Sequence, residues 1–113
     1  MTQMLNPLKR PLGDYVSTPV TEALAKKFDW YLEAVLPTQK CLMSAAIADH
    51  LAGGSEHYKI TDSLHCIDPD CLLEAELSDA IVRIANEDPN TALADLLRAL
   101  ADMIANDIAA SQN

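Results

Sequence analysis

The sequence predicts an all-α fold: a small four-helix bundle or orthogonal helical array, preceded by an irregular N-terminal arm. Apolar residues recur at three- and four-residue spacing through most of the chain, the period of a helix with one buried face. Thr18-Pro19, Asp68-Pro69 and Asp88-Pro89 each place a good N-cap residue before a proline, which the first helical position tolerates. The connections between these segments are short, as in bundles and helical arrays.

Residues 1–17 read as the arm, because Pro7, Pro11 and Gly13 interrupt any regular element; residues 18–113 form the single helical domain. Thr18-Pro19 opens a first helix whose stripe is Val20, Leu24, Phe28, Tyr31, Leu32 and Val35, ending at Pro37. A second helix, about 38–52, is capped by Thr38 and stops at Gly53-Gly54. Its Cys41, Ala45, Ala48 and Ala52 form a flat strip that lets another helix approach closely. Met43, Ile47 and Leu51 lie opposite, so this helix reads as buried on most of its circumference.

Residues 53–67 read as the longest loop. Asp68-Pro69 then opens a third helix with Leu73, Leu77, Ala80, Ile81 and Ile84 inward. The last helix runs from about Pro89 to Ala110, roughly 30 Å at 1.5 Å per residue. Its polar stripe, Asp95, Arg98, Asp102 and Asn106, is narrow against the leucines and isoleucines opposite. That pattern fits either the central helix of the bundle or a helix covered by a second subunit, and C2 homodimers are the commonest assembly. Asp107 falls inside the apolar stripe. A frayed, solvated last turn accommodates it; so does a buried pair with Lys9 or Arg10.

At 113 residues the chain is one domain, and 50% hydrophobic content belongs to a folded core rather than a disordered chain. Aromatic residues are only 4%, so aliphatic side chains and alanine must fill that core. The net charge of −9 argues against direct binding to nucleic acid or anionic lipid. All of it lies in the second half: residues 1–59 hold six acids and six bases, residues 60–113 eleven acids with only Arg83 and Arg98. Neither a signal peptide nor a membrane span is apparent, and three cysteines do not make a secreted disulfide scaffold; a soluble cytoplasmic protein is expected.

Candidate chemistry concentrates between Gly53 and Cys71. His57, His65, Cys66 and Cys71 are zinc-ligand types and four of them could close a tetrahedral site, although no CxxC is present. No glycine-rich phosphate loop and no activated nucleophile stand out, so no enzyme is expected. Asp62-Ser63-Leu64 resembles the phosphopantetheine attachment motif of acyl carrier proteins, which are likewise small, acidic and four-helical. The resemblance covers three residues and implies modification of Ser63. A carrier protein would continue into a long acidic helix, whereas Pro69 stands close downstream, and the glycine expected before the Asp is absent.

These observations predict a small acidic protein-binding module, an inhibitor, adaptor or regulatory accessory protein, acting as a homodimer and without a cofactor. Glu76, Asp79, Asp88, Asp95 and Asp102 would meet a basic, nucleic-acid-binding surface of a partner protein, with Trp30 as an apolar anchor. A zinc module on the 57–71 loop and a carrier modified at Ser63 are the alternatives.

Overall fold

The structure is a computed structural model and describes residues 10–53, 57–87 and 91–111. These residues form an all-α array of five α-helices and one short 3-10 turn, Leu12–Asp14. Helix α1 (Pro19–Phe28) begins as the sequence indicates. The Thr18 hydroxyl accepts from the Thr21 N–H at 3.1 Å, and the Thr21 hydroxyl accepts from the Thr18 N–H at 2.9 Å.

It ends after Phe28, well short of Pro37. Asp29 and Leu32 adopt φ of 84° and 50°, a left-handed bend that no continuing helix permits. The Leu32 N–H donates to the Asp29 carbonyl at 2.9 Å, and the Val35 N–H to the Leu32 carbonyl at 3.1 Å. The helical spacing of Leu32 and Val35 misleads because this loop is itself core: both side chains are buried. The arm is drawn in as well. The Leu12 N–H donates to the Trp30 carbonyl at 2.7 Å, and Leu12 and Val16 are buried. Pro11 and Gly13 thus permit a single 3-10 turn, closed by the Asp14 N–H on the Pro11 carbonyl and the Tyr15 N–H on the Leu12 carbonyl, both at 3.0 Å.

Helix α2 (Pro37–Gly53) turns Met43, Ala46 and Ile47 inward. Cys41, Ala45, Ala48 and Ala52 are all exposed, so the small-residue strip is an outer face and not a packing seam within the chain. Burial follows area: sinking Met43 and Ile47 removes far more apolar surface from water than sinking alanines.

Helix α3 (Ile60–Ile67) occupies what the sequence presents as loop. The Asp62 carboxylate accepts from the Lys59 N–H at 2.7 Å and starts it; Ile60 and Ser63 are buried. The Asp68 N–H closes it on the Leu64 carbonyl at 2.8 Å, so Asp68-Pro69 ends a helix rather than opening one. Helix α4 (Ala75–Glu87) starts later, with Leu77, Ala80, Ile81 and Ile84 inward.

Helix α5 (Thr91–Ser111) packs along α2 with Leu93, Leu96, Leu100 and Met103 in the core. Asp88-Pro89 lies outside the described residues. Lys9 lies outside the described residues; Asp107 does not fray, and its ion pair is with Lys40 of α2. The Asp107 Oδ2 takes the Lys40 ammonium at 2.7 Å, with Lys40 only 1% exposed and Asp107 27%. The pair ties the start of α2 to the end of α5, so the two helices run antiparallel. No helix among the described residues is long and apolar enough to cross a membrane.

Candidate functional site

The residues joining α3 to α4 form a ridge whose backbone is tied from two sides. The Asp68 carboxylate accepts from the Leu72 and Leu73 N–H groups, both at 2.8 Å. From α2, the Gln39 amide donates to the Leu72 carbonyl at 2.9 Å and accepts from the Glu74 N–H at 2.8 Å. The Cys71 N–H donates to the Asp68 carbonyl at 3.1 Å, and Cys71 takes the left-handed φ of 54°. A non-glycine residue holds that conformation only where its surroundings over-determine it.

The consequence is a division between neighbours. Leu73 is buried in the core, while Leu72 stands 66% exposed on a backbone that cannot retract it. Exposed carboxylates surround it in sequence: Asp70, Glu74, Glu76 and Asp79, with no lysine or arginine between Lys59 and Arg83. Exposed Leu36 lies one helical turn from Gln39. Beside the ridge a hollow of about 290 Å³ opens between α3 and α4, floored by Leu64, Leu73 and Val82 and rimmed by His65, Asp68 and Cys71. An exposed apolar knob thus stands next to an apolar hollow, with Asp70 and Glu74 beside it in the chain, while Glu76 and Asp79 belong to the groove between α1 and α4.

The residues singled out in the sequence disperse. Trp30 belongs to the loop after α1, with its ring against Gly13, where an added Cβ would come within 3.2 Å. Glu76 is in an ion pair with Lys27. Asp79 is exposed and shares a groove between α1 and α4 with Arg83. Asp95 and Asp102 sit half-buried on the flank of α5, whose outer face is Ala94, Arg98, Ala101, Ala105 and Ile108. Asp102 is engaged, accepting from the Tyr15 hydroxyl at 2.7 Å. Burial first, then this bond, pushes the Tyr15 hydroxyl above its ordinary value. Asp88 lies outside the described residues. Trp30 itself is partly exposed, at 41%, and the α5 acids do not form an outward row.

The zinc ligands also separate. His65 and Cys71 share the α3–α4 hollow, but His57 and Cys66 are not among its lining residues. Among the described residues no three His, Cys, Asp or Glu side chains are grouped to hold a metal ion. Ser63 is wholly buried on α3, which withholds its hydroxyl from any modifying enzyme in the folded state.

The same region holds a polar cluster that sequence reasoning passed over. The Tyr58 hydroxyl donates to the Asp49 carboxylate at 2.5 Å. That bond first, then the nearby Ser63 hydroxyl, holds the Asp49 carboxyl below the usual carboxylate range, and Asp49 in turn raises Tyr58. The signal for the ridge was equally slight: Gln39 lies more than thirty residues from the backbone it clamps. No family model, no curated protein and no solved structure matches this chain.

Proposed function

We propose that the protein is a binding module that docks the α3–α4 ridge on a basic, amphipathic surface of another protein, with Leu72 as the apolar anchor and the surrounding carboxylates as the complementary field. The observation that carries this reading is Leu72 itself. A large apolar side chain is held out at 66% exposure by five hydrogen bonds to the surrounding backbone, in an acidic stretch. Interfaces have an apolar centre within a polar rim, and charge on the rim sets the encounter rate and the choice of partner. Occupation of a partner's basic surface makes the module an inhibitor or adaptor by exclusion or by bridging.

The test uses an amphipathic helical peptide of leucine and lysine, titrated by fluorescence anisotropy. Leu72→Asp separates anchor from charge because it adds an acid while removing the leucine. The anchor reading predicts about tenfold weaker binding, from the order of 1.4 kcal/mol that burying most of a leucine contributes. Binding of the parent chain should also weaken as salt shortens the reach of the carboxylates. Equal or tighter binding by Leu72→Asp, or equal affinity for a peptide with glutamate in place of lysine, refutes the proposal.

A further inference from the structure

The exposed strips on α2 and α5 combine into one uncharged face. The Lys40–Asp107 pair fixes which flank of each helix meets the other. Round α2, at 100° per residue, the order runs from buried Met43 and Ile47 through Lys40 to exposed Ala48 and Cys41. Round α5 it runs in the same sense from buried Met103 and Leu96 through Asp107 and buried Leu100 and Leu93 to Ile104, Leu97, Ile108 and Ala101. Because the helices are antiparallel, these equal senses carry both strips to the same side of the pair. Cys41, Ala45, Ala48 and Ala52 thus adjoin Leu97, Ala101, Ile104 and Ile108. Ile108 is 53% exposed, Leu97 and Ile104 are half-buried, and none of the eight carries a charge; Arg98, beyond Ala101 on the outer face of α5, stands at the rim.

We infer that this face is the contact between two copies of the chain, a two-fold dimer in which α2 and α5 of one copy pack on α2 and α5 of the other. Charge selects the occupant. Two chains of net charge −9 repel wherever carboxylates face each other, and α1, α3 and α4 all display exposed acids: Glu22, Asp62 and Glu76 among them. The α2–α5 face lets a copy approach without burying an unpaired carboxylate. Shape agrees, since alanines let helix axes come to about 8 Å while Leu97, Ile104 and Ile108 supply ridges. Area agrees too. Helices of 17 and 21 residues side by side offer a footprint of about 25 by 20 Å. Two such footprints bury about 1,000 Å², the lower bound for a specific interface. A self-complementary patch closes on itself in a two-fold and leaves no open end for a fibre.

The experiment is light scattering on the size-exclusion eluate of the full chain, with reductant present because Cys41, Cys66 and Cys71 are free and exposed. At about 100 μM, the concentration range in which a small interface is populated, the expected mass is twice the 12.3 kDa chain. Ala48→Glu and Ala101→Glu each put a carboxylate at the centre of the face on an exposed helical position that glutamate suits. Both should halve the mass while far-ultraviolet circular dichroism keeps its helical shape. Asn86→Glu, which adds the same charge at an exposed position of α4, should leave the dimer intact. A parent chain that stays at 12.3 kDa, or a dimer that survives both alanine substitutions, overturns the inference. So does a monomer that co-floats with neutral phosphatidylcholine vesicles, which would give the face to a lipid surface instead.

Discussion

Removing either partner of the Lys40–Asp107 pair should cost unequal amounts, because the two ends have unequal access to water. Lys40 is 1% exposed at the side chain and Asp107 27%. In Asp107→Ala the ammonium is left sealed in the α2–α5 seam with no counter-ion. Breaking a buried pair from that side costs about 3 kcal/mol, a fall of about 12 °C in Tm for a domain of this size. In Lys40→Met the apolar stem is replaced by one of similar volume, and the Asp107 carboxylate turns to the water it already touches. That loss is about 1 kcal/mol, or about 4 °C. Lys40→Met/Asp107→Ala should lie within about 1 kcal/mol of the parent, since neither an orphaned cation nor a cavity of lysine size remains. Urea unfolding followed by circular dichroism at fixed pH and protein concentration measures all three. If Asp107→Ala costs no more than Lys40→Met, or if the double variant shows the sum of the single losses, the reasoning about the sealed ammonium is wrong.

Two further substitutions probe other parts of the fold. Asp29 combines φ of 84° with ψ of 148°, a region that only glycine occupies without strain; Asp29→Gly should raise Tm by a few degrees, about 1 kcal/mol, despite the loss of the 3.2 Å bond that its carboxylate accepts from the Tyr31 N–H. A lower Tm would mean that this bond outweighs the strain. Asp49→Asn tests the Tyr58–Asp49 bond through pH. Because the folded-state pKa of Asp49 lies below its ordinary value of 3.8, its contribution is complete above that value and disappears as pH falls through the lowered one. The stability gap between parent and Asp49→Asn should therefore be constant from about pH 7 to about pH 5 and close toward about pH 2. A gap that does not change across that range excludes the ionised carboxylate as its source.

The long helices were legible because their signals are local. Thr18-Pro19 opens α1, Gly53 stands at the end of α2, and the leucine stripe of α5 is long enough for its period to be unmistakable. What was not legible depends on contacts distant in sequence. Leu32 and Val35 continue the spacing of α1 because they fill the same core, though the backbone between has turned back on itself. The eight residues of α3 are too few for periodicity to separate them from loop, and their start depends on one Asp62 carboxylate. Charge was misleading for the complementary reason. Lys40 looks like a surface lysine, and Asp107 like a frayed end, until α5 is laid antiparallel on α2. The ridge between α3 and α4 follows the same rule. Nothing near Leu72 in sequence says that it is held out while Leu73 is taken in; that choice is made by the carboxylate of Asp68 and the amide of Gln39.

The most direct test of the docking account is an amide chemical-shift map of the ¹⁵N-labelled chain titrated with the leucine–lysine peptide. The account predicts saturable shifts centred on Asp70, Leu72 and Glu74, extending to His65 and Val82 around the hollow, with the α1–α4 groove and the flank of α5 undisturbed. Shifts spread over every exposed acid, or centred on the arm around Trp30, would contradict it.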